Sequence, residues 1–394
     1  MVLPQLRRTL RTSIRVTVIV LSSLLLLESL LIVLDPYLFR SRFEYDPDMG
    51  FRGRAYFPSP FGRTGDGEDG TLTNQFGFND RDYPLQKSNG TQRILFIGDS
   101  FSWAGGLDGN YTARLERMFE QRDGGHNVDV INAGYSATHT GEQLVMLKKF
   151  GLQYHPDLVV LGFFAGNDFL DADPNRKLIV LNGCPVNIDK RHEHRLFGYP
   201  MVANLRTLVL LEAKYQLYRE ASAARREGEA WAKTTGQPVP FGNLSETNFW
   251  HAQQMRLRFF NRKTSAQEFA ANIKYIFDSL SEMDQLLKTS GIKFMVAIFP
   301  DELQVNRQLF DSVATKFNLT REDYDLDLPQ NLLKSFLTAK DIPFLDMSDR
   351  FREAEAQHDL YGWRTTHWND AGNSLAAELL FQYLVNQPYE FNRR

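Results

Sequence analysis

The sequence predicts an α/β domain built on a mostly parallel sheet, carried behind an N-terminal membrane-spanning helix. Three observations lead there. One aliphatic stretch lies near the start of the chain, short apolar runs alternate with helically spaced segments from Arg93 onward, and small polar motifs with glycine follow the apolar runs. Runs without polar alternation read as strands buried on both faces, which a parallel sheet covered by crossover helices requires. In such sheets ligands bind outside the carboxyl ends of the strands, so chemistry is expected there.

The anchor comes first. In Val16–Leu34, fourteen of nineteen side chains are Val, Ile or Leu. A helix of that length rises about 28 Å, against roughly 30 Å of hydrocarbon. Glu28 interrupts it at a cost on the order of 3 kcal/mol, whereas each aliphatic side chain returns about 0.3–0.6 kcal/mol, so insertion prevails. The following Asp35-Pro36-Tyr37-Leu38-Phe39-Arg40 lacks a small-x-small cleavage pattern, which favours an uncleaved anchor over a signal peptide. Arg7, Arg8, Arg11 and Arg15 are packed before the span, while Arg40, Arg42, Arg52 and Arg54 follow it more sparsely. The positive-inside rule then assigns residues 1–15 to the cytoplasm, 16–34 to the membrane and the body to the extracytoplasmic side, periplasmic or cell-surface.

Composition narrows the classes. The 394 residues are 43% hydrophobic, ample for a buried core and unlike a disordered chain. Lys plus Arg is 45 against Asp plus Glu 48, a net charge of -3, too balanced for a nucleic-acid binder. The single cysteine, Cys184, allows neither an intrachain disulfide nor a multi-cysteine metal site.

Residues 35–90 are rich in Gly, Pro and Asp without a sustained period and read as an extended connector. The body, residues 91–394, begins with a strand at Arg93–Gly98, then a helix over Tyr111–Gln121, spaced by Leu115, Met118 and Phe119. The alternation continues with a strand at Val128–Ala133, a helix at Gly141–Phe150 and a strand at Leu158–Phe164. A long helix at Ala266–Lys288, strands at Lys293–Phe299 and Pro343–Met347 and a closing helix at Gly372–Val385 complete it. Residues 170–264 interrupt the pattern without strand signals and carry a helical piece at Leu205–Lys233. An insertion of that size is expected to be a lid or substrate-facing subdomain.

The first strand runs into Gly98-Asp99-Ser100-Phe101. A serine at a strand tip can expose its hydroxyl as a nucleophile beside a backbone N–H, although a turn serine has the same spacing. Ser102 stands where the G-x-S-x-G elbow needs glycine, which disfavours a lipase-type α/β-hydrolase. Asn132-Ala133-Gly134 follows the second strand, and Gly134 can bring an N–H close to a substrate. Gly166-Asn167-Asp168 follows the third, and the Asn167 amide can donate to a developing oxyanion. Thr366-His367-Trp368 precedes the last helix and offers His367 as a base. Each feature alone is an ordinary turn, cap or core residue; their joint order at successive strand ends is what points to a site. Of the rest, the Arg191–His194 run suits a solvated loop better than a metal, His139 can line the pocket, and Asp301 reads first as a helix cap. Trp103, Phe163 and Phe164 read as core or cleft wall rather than a sugar platform.

These blocks resemble the SGNH (GDSL-like) hydrolase superfamily, from Arg93 to the last helix, and Thr73–Arg81 is similar to a lead-in segment of membrane-anchored members. The resemblance implies a three-layer α/β/α, flavodoxin-like fold and acyl-ester chemistry without a cofactor. It assigns Ser100 as nucleophile, His367 as base, the Ser100 and Gly134 N–H groups and the Asn167 amide as oxyanion donors, and Asp99 as a structural partner.

One departure matters. The family acid lies two or three residues before the histidine, and those positions are Thr365 and Arg364 here. Asp359 can fold back into that role, or a backbone carbonyl can hold the imidazole and leave a Ser-His dyad. The expected function is a membrane-anchored serine esterase or O-acyltransferase acting on an acyl ester, an acetylated saccharide by the resemblance. The alternative is a non-catalytic carbohydrate-binding or assembly protein with a degenerate site.

Overall fold

The computed structural model describes residues 2–38, 41–123, 128–181, 183–187 and 206–386. They fall into two compact units, Met1–Arg52 with Lys177–Arg219, and Gly53–Arg176 with Glu220–Arg394.

In the first unit the helix Val2–Leu38 contains a stretch, Arg7–Leu34, long and apolar enough to cross a membrane. Glu28 in that helix is partnered: its Oε2 accepts from the backbone N–H of Thr207 (3.1 Å) and from the Thr207 hydroxyl (2.9 Å). The unit also holds an antiparallel hairpin, Leu178–Leu181 with Cys184–Asn187. This corrects the expectation that residues 170–264 carry no strand; the short apolar run Leu178-Ile179-Val180-Leu181 was its signal.

The second unit is built on five parallel strands, β1 (Gln92–Gly98), β2 (Val128–Asn132), β3 (Leu158–Phe164), β4 (Lys293–Phe299) and β5 (Phe344–Asp346), ordered β2-β1-β3-β4-β5. That is the flavodoxin-like order, in which the direction of winding reverses between β1 and β3. β1, β3 and β4 are apolar on both faces, as strands in a covered parallel sheet must be. Ile94, Phe96, Val130, Val160, Met295 and Ala297 face a cluster shared with the helices Tyr111–Asp123 and Asp370–Asn386. The alternate residues Leu95, Val159 and Val296 are equally buried and point to the opposite face, where the helices Thr140–Lys149 and Ala270–Thr289 pack. The expected long helix is broken at Phe269 into Ser265–Glu268 and Ala270–Thr289. The reading of residues 170–264 also missed the helix Glu246–Phe260.

Residues 53–90 form little regular structure yet are packed into this unit through buried side chains such as Phe78 and Tyr83. Polar side chains of the Thr73–Arg81 segment brace the strand ends. Asn79 Nδ2 donates to the Trp103 carbonyl (3.0 Å) and Asp80 Oδ2 accepts from the Asn132 N–H (2.7 Å). At the other end of the sheet the buried Arg93 donates to Asp129 (2.8 Å) and to the carbonyls of Pro84 (2.7 Å) and Tyr154 (2.8 Å).

Candidate active site

The site forms at the carboxyl ends of β1 and β3, the reversal point of the sheet. β1 ends at Gly98, where a Cβ would stand 2.5 Å from Ser102 Oγ and 3.0 Å from the Gly162 carbonyl oxygen, so only glycine fits. Asp99 then caps the short helix Ser100–Trp103, its Oδ1 accepting from the Phe101 N–H at 2.9 Å. The turn throws the Ser100 side chain out of the sheet while the neighbouring Ser102 is buried and bonded to the Tyr111 hydroxyl (2.7 Å).

His367 reaches Ser100 from the loop before the last helix. Its Nε2 lies 2.9 Å from Ser100 Oγ and its Nδ1 lies 2.8 Å from the carbonyl oxygen of Thr365. A carbonyl can only accept, so this contact places the proton on Nδ1 and leaves Nε2 bare to accept from the serine hydroxyl. Burial pushes the imidazole down to about 4; the Thr365 carbonyl opposes the shift and the Arg256 charge adds to it. The ring therefore stands neutral at pH 7, the state a general base needs.

The loop that presents Thr365 is strained. Arg364 (φ 53°) and Thr366 (φ 61°) both lie in the left-handed region, unusual for any side chain and more so for β-branched threonine. Such conformations cost about 1–3 kcal/mol each and persist only where surrounding contacts impose them. The structure does not bring Asp359 to His367: it is exposed, its carbonyl accepts from Asn369 Nδ2 (2.7 Å), and Nδ1 of the imidazole is bonded to the Thr365 carbonyl.

The proposed oxyanion donors divide. The Gly134 N–H donates to Asn132 Oδ1 at 2.9 Å, so it is not open to a substrate in this geometry. Glycine is needed there for space, since a Cβ would meet Ser102 Cβ at 2.2 Å. Asn167 sits just past β3, which pairs with β1 through Gly98 and Gly162. Its Nδ2 donates to Asp171 Oδ2 (2.8 Å), which fixes the amide and leaves its second proton available. Asn167 Oδ1 is buried without a hydrogen bond. Below the serine, burial pushes the Asp99 carboxyl up to about 7, with Asp171 adding to the shift and Arg256 opposing it. Asp168 is raised further, first by burial and then by Asp99.

Arg256 is a charged neighbour of the candidate site that the sequence analysis did not single out. Its Nη1 pairs with the fully buried Asp301 Oδ2 at 2.8 Å, and its guanidinium lies 5.2 Å from the Phe164 ring centroid. Its charge acts on both His367 and Asp99. Phe249, Gln253, Leu257 and Phe260 form the buried stripe of the helix Glu246–Phe260, and Arg256 lies on it, seven residues after Phe249. An arginine on an otherwise inward face was the available signal. Asp301 also caps the next helix through its Oδ1 and the Leu303 N–H (2.8 Å), as expected. His139 is a buried cap as well, its Nδ1 accepting from the Gly141 N–H (3.2 Å), with burial pushing it down to about 3. Trp103, Phe163 and Phe164 are buried.

Among the described residues no group of three or more His, Cys, Asp or Glu is placed to hold a metal ion. The Arg191–His194 run lies outside the described residues.

Residues 259–392 match the family model described as an SGNH hydrolase-like domain of the acetyltransferase AlgX. No curated protein matches the sequence. Among solved structures the chain is similar to the acetylxylan esterase Axe2 of Geobacillus stearothermophilus, with 12% identity over 78% of this chain and 100% of that one at a TM-score of 0.40. It is similar to another acetyl xylan esterase with 14% identity over 74% and 99%, at a TM-score of 0.38. A GDSL-like lipase from Bacteroides thetaiotaomicron is 14% identical over 75% and 88%, at a TM-score of 0.33. Over residues 259–392 the chain is thus similar to an SGNH hydrolase-like domain, and the Gly98-Asp99-Ser100 turn stands upstream of that match at the end of the first strand of the parallel sheet.

Proposed function

We propose that this protein is a serine esterase or O-acyltransferase that works through an acyl-Ser100 intermediate on an acetylated carbohydrate. The observation that carries the reading is the contact of Ser100 Oγ with His367 Nε2 at 2.9 Å, with Nδ1 held by a carbonyl. Ser100 Oγ attacks the acyl carbonyl as its proton passes to Nε2. The oxyanion of the tetrahedral intermediate accepts from Nδ2 of Asn167, and collapse releases the alcohol with the proton from His367. Water or a sugar hydroxyl, deprotonated by the same imidazole, then attacks the acyl-serine carbonyl and frees Ser100. The acetyl group is supported by the name of the matching family model, an acetyltransferase, and the carbohydrate follows only from the resemblance of the sequence motifs to anchored members of the superfamily.

The helix spanning Arg7–Leu34 supports attachment to a membrane, and the cluster of Arg7, Arg8, Arg11 and Arg15 supports a cytoplasmic N-terminus with the catalytic unit on the extracytoplasmic side. The test is covalent labelling of the detergent-solubilised chain with a fluorophosphonate, followed by peptide mapping. Label on Ser100 that vanishes in His367→Ala supports the reading. A folded protein that takes no label favours a non-catalytic, carbohydrate-binding role instead.

A further inference from the structure

The family's usual acid position is occupied by Arg364, and this residue is engaged on every side. Its Nη1 lies 2.7 Å from Glu227 Oε2 and its Nη2 lies 3.3 Å from Glu246 Oε2, with the Arg364 side chain only 19% exposed. Its guanidinium covers the Trp363 ring at 4.7 Å, and Trp363 in turn stacks on Trp231 at 5.0 Å between centroids and 16° between planes. The Arg364 carbonyl accepts from the Leu244 N–H (2.9 Å), and Glu227 Oε2 also accepts from the Glu246 N–H (2.6 Å). Glu227 and Trp231 lie on the helix Arg206–Thr235, and Glu246 opens the helix Glu246–Phe260. Both helices belong to the segment that interrupts the α/β alternation.

On the loop side, the same residues bracket the strained turn. Gly362 N–H donates to the His367 carbonyl and Thr365 N–H donates to the Gly362 carbonyl, each at 3.0 Å. Two left-handed residues, Arg364 and Thr366, stand on either side of Thr365 and turn its carbonyl toward the imidazole. A free loop relaxes out of such a conformation unless something outside it holds it. The contacts of Arg364 are what lie outside it.

We propose that Glu227, Glu246 and Arg364 form a clamp by which the inserted helices hold the Gly362–His367 loop, so that the Thr365 carbonyl orients the catalytic histidine in place of an acid. Arg364 is a positioning residue: it acts through Thr365 and touches neither the serine nor the imidazole. The segment interrupting the fold is thus part of the catalytic apparatus. The inference rests on Ser100 and His367 being the reacting pair.

The experiment compares three variants with the wild-type chain in detergent: Arg364→Met, Arg364→Lys, and Glu227→Gln with Glu246→Gln, the last keeping side-chain shape should Arg364→Met fail to fold. The rate of Ser100 phosphonylation by a fluorophosphonate is measured against pH, with kcat and KM for p-nitrophenyl acetate alongside. Loss of the clamp is expected to slow labelling by about tenfold, the lower end for loss of a residue that orients a reacting ligand. It is also expected to lower kcat with KM unchanged and to move the midpoint of the pH profile further down, because the Thr365 carbonyl that opposes the burial shift is released, with Arg364→Lys intermediate. A merely structural role lowers the amount of active protein and leaves the midpoint in place. Wild-type labelling with all variants within twofold and the midpoint unmoved overturns the clamp while sparing the Ser100–His367 assignment. Absence of label on wild-type Ser100 overturns both.

Discussion

The carbonyl oxygen of Thr365 stands 2.8 Å from Nδ1 of His367, in the place where an acidic side chain orients the imidazole of a Ser-His-Asp triad. A carbonyl fixes the tautomer as an acid does, but it carries no full charge to stabilise the imidazolium that forms when Ser100 gives up its proton. The His367 imidazole is consequently oriented without a charged partner, and its low basicity comes first from burial.

Burial holds the His367 imidazole at about 4, below the ordinary histidine value near 6.5. A base must be unprotonated to act, so activity is present above the folded-state value and lost as pH falls through it. Labelling of Ser100 should be flat from about pH 6 to 8 and fall about tenfold per pH unit below 4. A profile bending near 6.5 contradicts a buried, carbonyl-held base.

Asp359→Asn should leave kcat within twofold of wild type, because Asp359 is exposed and Nδ1 of His367 is already bonded. Steady-state kinetics on p-nitrophenyl acetate decide it, and a loss of about 10⁴, the size seen when a triad acid is neutralised, reinstates Asp359 as the acid.

Asn167→Ala should lower kcat by about 10²–10³, the usual effect of removing one oxyanion donor. The amide is held at 2.8 Å by Asp171, so Asp171→Ala should give a smaller loss in the same assay by letting it rotate. A change below threefold in Asn167→Ala removes this residue from the site.

Arg256→Met leaves Asp301 as an uncompensated carboxylate in a fully buried position. Breaking a buried pair from one side costs about 3–5 kcal/mol, so thermal unfolding should shift down by many degrees. Arg256→Met paired with Asp301→Leu should recover part of that loss, and a double variant no more stable than the single one argues that the pair carries little of it.

Removal of Met1–Leu34 should leave the remaining chain in the supernatant after membranes are pelleted, while the full chain sediments with them. Co-sedimentation of the shortened chain points to a second membrane contact.

The strands β1, β3 and β4 were legible because a strand covered on both faces is an unbroken apolar run, and at seven residues each they are too short for an ordinary buried helix. Ser100, Asn167 and His367 were legible as candidates because each follows or precedes such an element in a short local motif. What the sequence could not decide is how polar groups compete once they are close. Asn132, two residues before Gly134, takes the N–H that had been offered to an oxyanion. Arg256 and Asp301 meet from positions far apart in the chain, as do Arg364 and its partners Glu227 and Glu246. The group that orients His367 is a backbone carbonyl, present in every residue and marked by no side chain. A left-handed turn at Arg364 and Thr366 flanks it, in a loop whose Arg364 is paired with residues distant in the chain. Local pattern therefore determined the sheet and the candidates Ser100 and His367, while the group that holds Nδ1 of His367 was decided by tertiary structure, because burial and backbone strain arise only from the packing of distant segments.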